Sequence, residues 1–161
     1  MLSFPNPVNE KAARVVAAVV ALCGVVVLLT GARWLLIPLA YGFWARVLTG
    51  PRLSPLGRLA TRVVAPRLGR PRYVAGPPKR FAQGIGAALT TVAAVLALGF
   101  GAGGAADVLT GGLVFAATLE SVLGLCLGCQ MFAVLMRAGL VPAETCERCA
   151  NIWAAPGATR P

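Results

Sequence analysis

Residues 15–31 read VVAAVVALCGVVVLLTG, seventeen positions without a charge. About 20 apolar residues carry a helix across the hydrocarbon of a bilayer. Arg14 and Arg33 flank the run and can reach the two surfaces with their charged heads, which completes a crossing. This stretch decides the fold class: the chain is expected to be an all-α membrane protein.

The whole composition agrees. Of 161 residues, 58% are hydrophobic and 12% charged, and the mean hydropathy is +0.78. Soluble domains carry about 25% charged residues. Three more apolar runs follow, so the sequence predicts four spans, at about 15–32, 34–49, 82–101 and 107–128, arranged as two hairpins. They form a single membrane domain over 1–161. Asn9, ahead of Glu10 and Lys11, has the chemistry of a helix N-cap. Cys23 reads as a small apolar filler. In the second run Trp34, Tyr41 and Trp44 are interfacial anchors, and Pro38 is expected to bend the helix. In the third, Gly84, Ala87 and Ala88 are small enough for close helix contact. Gly124 and Gly128 form a G-x-x-x-G pair across Cys126. The start, MLSFPNPVNEKAARVV, shows no convincing signal cleavage site and is expected to flow into the first span.

The formal charge is +10, and it is concentrated. The basic loop, 50–80, holds Arg52, Arg58, Arg62, Arg67, Arg70, Arg72, Lys79 and Arg80 and no acid. Flanked by apolar spans, it reads as a loop against anionic lipid rather than a nucleic-acid surface. Within it Leu56, Leu59 and Val63 share one helical face and Arg58 and Arg62 another, an amphipathic helix limited by Pro66. The positive-inside rule sets this loop, and with four spans both termini, in the cytoplasm of a multi-pass protein of the inner (plasma) membrane.

Several chemistries are excluded. There is no histidine, so His-based metal sites and His-containing triads are out. The glycines at 99–104 follow no strand, so they are not a phosphate loop. Few acids are present, and no carboxylate dyad emerges. Glu120 is the one acid deep in an apolar run, about 18 Å from the outer edge at 1.5 Å per residue. Arg46 lies at similar depth, so the two can pair, as intramembrane charges tend to do.

Four of the five cysteines form two C-x-x-C pairs, Cys126/Cys129 and Cys146/Cys149, sixteen residues apart. The second pair lies in a short cysteine tail, 141–153. One reading is thiol redox or sulfur relay on the cytoplasmic side, with all four cysteines as the reacting groups. The alternative is a non-enzymatic scaffold in which the same four thiolates bind structural zinc, since the spacing matches four-thiolate sites. The bland reading is that they fill a membrane core. Gly139 and Pro142 can turn the tail back, so the two pairs are expected to form one site.

Three stretches carry a family resemblance: Pro7-Val8-Asn9-Glu10, Gly76-Pro77-Pro78-Lys79-Arg80-Phe81-Ala82-Gln83, and Cys126-Leu127-Gly128-Cys129. The Cys146/Cys149 tail with Asn151 is also similar. Asn6 departs from the aspartate expected there. The chain resembles an uncharacterised family of small actinobacterial integral membrane proteins catalogued as a domain of unknown function. The resemblance implies several spans and no established activity. It also implies the company of thioredoxin-like or sulfurtransferase proteins as partners, and it transfers no catalytic residue.

Overall fold

A computed structural model describes residues 7–142. Cys146, Cys149 and most of the cysteine tail lie outside them. The described residues form six helices and a two-stranded ladder. In order these are β1 (Val8–Asn9), α1 (Glu10–Thr30), α2 (Leu36–Thr49), α3 (55–67), β2 (Tyr73–Val74), α4 (Gly76–Gly99), α5 (Gly103–Leu123) and α6 (Leu127–Arg137).

Local chemistry sets the boundaries. Asn9 caps α1, accepting from the Lys11 amide at 3.0 Å. Gly31 ends α1 with φ 69°, and its amide returns to the Val27 carbonyl, the left-handed stop that favours glycine. Ser54 caps α3 through the Gly57 amide, with Pro55 in the first turn. Pro77 and Pro78 open α4, where their missing amides cost nothing, so this helix starts at Gly76, ahead of the expected residue 82. Pro38 likewise falls in the first turn of α2 and does not sit where a proline bends a helix.

Three helices, α1, α4 and α5, with 21, 24 and 21 residues, are long and apolar enough to cross a membrane. The expected second span is shorter. Arg33–Leu35 form a 3₁₀ turn, and α2 proper has 14 residues, about 21 Å against the roughly 30 Å of hydrocarbon.

Polar contacts identify the two ends of the bundle. At one, Arg33 meets Asp107 at 2.9 Å, joining the turn after α1 to the start of α5. At the other, β1 pairs antiparallel with β2, Val8 opposite Val74. There too Glu10 bridges Arg72 at 3.0 Å, and Arg80 donates to the Val47 carbonyl at 3.0 Å. Hence α1 and α4 run one way, α2 and α5 the other, and the basic loop lies wholly at the second end.

Packing relies on small residues. A methyl group on Gly86 would come within 2.3 Å of the Phe43 ring, and one on Gly24 within 2.4 Å of Val114. Gly86, with buried Ala87, makes the α2–α4 contact; Gly84 faces open space and Ala88 is exposed. The Thr90 and Thr110 hydroxyls bond back to carbonyls four residues earlier, which satisfies them in an apolar interior. Outside, Leu22, Leu29, Phe100 and Val108 are largely exposed. An apolar exterior of this extent suits lipid rather than water.

The loop helix α3 buries Gly57, Ala60 and Ala65, and the two alanines join Ala12 and Val16 of α1. Leu56 is partly buried against the same cluster, whereas Leu59 and Val63 are exposed. The face toward the protein is thus mostly small residues with Leu56 at its edge, and Leu59 and Val63 point away from it. Arg58, Arg62, Arg67 and Arg70 are exposed.

Candidate functional site

The site begins where α5 stops. Its last turn, Leu119–Leu123, is a wide π turn, closed by Gly124 at φ 71° with amide returns to Glu120 and Leu119. Arg14 reaches over from α1, its Nε to the Ser121 carbonyl at 3.2 Å and its Nη2 to the Val122 carbonyl at 2.8 Å. A cation on the last carbonyls of a helix satisfies orphan acceptors and suits the negative end of the dipole. Arg14, expected only to reach a surface, therefore holds α5 at its terminus.

The chain then starts a new helix. Cys126 is the N-cap of α6, with extended backbone (φ −91°, ψ 103°), and Cys129 lies in the first turn. The C-x-x-C pair is therefore not embedded in a continuous fourth span, as expected; it opens a separate short helix. Gly124 and Gly128 fall on either side of this break and do not form a shared helix face. Gly128 instead lets α6 approach α4: a methyl group there would lie 2.5 Å from Ala82 Cβ and 2.6 Å from Ala82 Cα. Phe81 packs on Phe132 with ring centroids 5.6 Å apart, fixing the same contact.

Cys126 is buried, Cys129 half-buried, and neither is in a disulfide. The two thiols lie near enough to act on one another electrostatically. The Lys79 ammonium, in the first turn of α4, exerts its charge on both and forms a buried ion pair with Glu120. Cys126, Glu120, Gln83, Arg46 and Gly128 line one cavity of about 270 Å³.

The suggested Arg46–Glu120 pair is not formed. Glu120 lies within electrostatic reach of Arg46, but its carboxylate goes to Lys79. Arg46 is buried and donates from Nε to Gln83 Oε1 at 2.8 Å and from Nη1 to Ser54 Oγ at 3.4 Å. Its guanidinium carbon also stands 4.6 Å from the Phe43 ring centroid. Lys79 wins the carboxylate because α4 begins early enough to carry it into the bundle.

The sequence pattern alone does not mark Lys79, Gln83 or Arg14 as site residues. A partial signal for the first two is present: Pro77-Pro78 marks a helix start, and positions 79 and 83 then share a face. Among the described residues no group of three or more Cys, Asp or Glu could hold a metal. A zinc set would need Cys146 and Cys149, and whether the two pairs meet lies outside the described residues.

The stretches that carry the resemblance converge here: residues 79–83 against 126–129, with residues 7–10 tied to the loop before α4. In sequence, residues 8–137 match the family described as Domain of unknown function (DUF4395), and the chain belongs to it. Comparison with curated proteins and with solved structures returned no match. The matched stretch includes Lys79, Glu120, Cys126 and Cys129 and ends before Cys146.

Proposed function

We propose that this is a multi-pass inner-membrane protein whose Cys126–Cys129 pair performs thiol–disulfide exchange or sulfur relay at the cytoplasmic face. One observation carries the reading: the break at Gly124 makes Cys126 the cap of a new helix, with Cys129 one turn on and Lys79 alongside. Helix N-termini and nearby cations stabilise a thiolate, the nucleophilic form.

In exchange, the Cys126 thiolate attacks one sulfur of a partner disulfide, and a partner thiolate leaves. Cys129 then attacks Cys126 in the mixed disulfide and frees the second partner thiolate. Two electrons pass to the partner, and the protons of the two thiols go to its sulfurs. In sulfur relay, the Cys126 thiolate takes the outer sulfur of a partner persulfide and releases the partner thiolate. The partner in either case is a soluble thioredoxin-like or sulfurtransferase protein, in keeping with the resemblance.

Orientation follows from charge. The end of the bundle holding the C-x-x-C pair also holds the basic loop, and excess Arg and Lys mark the cytoplasmic side. The alternation of α1, α2, α4 and α5 supports four crossings, the short α2 being met by local thinning of the bilayer.

The test is metal content beside thiol count on the purified full chain. The expected protein carries no zinc, loses two thiols on mild oxidation and regains them with thioredoxin, and Cys126→Ser or Cys129→Ser abolishes the cycle. One zinc per chain with four protected thiols would overturn it. That result favours the alternative, a scaffold in which Cys126, Cys129, Cys146 and Cys149 bind structural zinc.

A further inference from the structure

A second, larger cavity of about 530 Å³ lies at the basic end, between the start of α1, the loop helix α3 and the first turns of α4. Its walls are mostly apolar, among them Val16, Pro51, Ala65 and Pro66, and Arg46, Lys79 and Gln83 also line it. That volume lies in the range of small-molecule sites.

Charge balance selects the ligand. The described residues hold three acids, and each is taken: Glu10 by Arg72, Asp107 by Arg33, Glu120 by Lys79. Arg46 is 7% exposed and has only neutral acceptors, Gln83 and Ser54. Its Nη2 makes no hydrogen bond among the described residues. A buried guanidinium with no carboxylate hydrogen-bonded to it, only the Glu120 charge at a distance, is costly. Its planar fork matches an oxyanion, which can take two parallel hydrogen bonds. The exposed Arg58, Arg62 and Arg67 on α3 steer anions toward the same end.

We infer that this cavity binds an oxyanion of the phosphate or carboxylate class on Arg46, with room along its apolar walls for the body that bears it. Neither Cys126 nor Cys129 lines it, although Arg46 and Gln83 also border the cavity that holds Cys126. Its occupant is either a lipid headgroup or a soluble anion, and the two are separable.

The full chain is reconstituted in phosphatidylcholine bilayers and its melting temperature followed, with inorganic phosphate added in one arm and phosphatidate mixed into the bilayer in the other. A rise in the first arm identifies a soluble anion; a rise confined to the second identifies a headgroup. Arg46→Gln is expected to weaken the responding arm by about tenfold or more, the scale of a charge-assisted hydrogen bond. Arg137→Gln, on α6 and outside this lining, retains the response. If Arg46→Gln does not fold, Thr61→Phe fills the cavity from its wall, keeps every charge, and should abolish the response. A wild type silent in both arms overturns the proposal, as does a response that survives Thr61→Phe. A response seen only in the Glu144→Gln, Glu147→Gln chain assigns the counter-charge to the protein's own tail and also overturns it.

Discussion

The Lys79 ammonium is buried against the Glu120 carboxylate, the first on the opening turn of α4, the second 41 residues later on the closing turn of α5. Both side chains are mostly shielded, 8% and 14% exposed. Such a pair adds little net stability, but removing one partner strands the other charge. Glu120→Gln should therefore destabilise the protein by about 3–5 kcal/mol. Adding Lys79→Met should recover much of that loss. A double-mutant cycle on unfolding in detergent reads the coupling; additive losses would show that the two charges act separately.

The bridge at the opposite end behaves differently. Arg33 and Asp107 are more than a third exposed, and exposed pairs are weak and screened by salt. Asp107→Asn is expected to move the melting temperature little, and less still in high salt. A loss as large as that of Glu120→Gln would contradict the assignment of that end to the aqueous surface.

Glycines 84 and 128 should respond oppositely to alanine. Gly84 has open space beside it, and alanine is the better helix former by about 1 kcal/mol. At Gly128 the new methyl meets the Ala82 backbone, so α6 must move, at about 1–3 kcal/mol. Because Gly128 adjoins Cys129, Gly128→Ala should also raise the alkylation rate of that thiol. Melts and timed alkylation test both, and unchanged alkylation would mean that α6 stays in place.

Orientation can be read by single-cysteine labelling on a background lacking the native cysteines. Gly104→Cys should react with an impermeant maleimide in intact cells, and Arg67→Cys only after permeabilisation. The reverse pattern would put the C-x-x-C pair outside, among oxidising conditions, and favour an oxidase over a reductant.

Much of this architecture is legible in composition. The apolar runs, the Asn9 cap and the acid-free loop are local features, and local chemistry decides them. The break at 124–126 is not legible that way, because apolar residues run through it from Val122 to Cys129. It depends on a left-handed Gly124 and on Arg14, which caps carbonyls 107 and 108 positions away. The choice of Lys79 over Arg46 as partner of Glu120 was hidden for a related reason. Depth counted along each helix puts Arg46 level with Glu120, but it does not say which helices touch. In the fold α2 lies on α4 and α1 on α5, so Arg46 meets Gln83 first.

The 41-residue separation within the buried ion pair also has a temporal side. At a synthesis rate of about 5–20 residues per second, Glu120 emerges roughly 2–8 s after Lys79. For that interval the lysine lacks its own partner, Glu10 being held by Arg72, and is better left at the aqueous boundary than drawn inward. The opening turn of α4 therefore settles only once α5 has been made. The pocket behind the thiols is among the last parts of the protein to close.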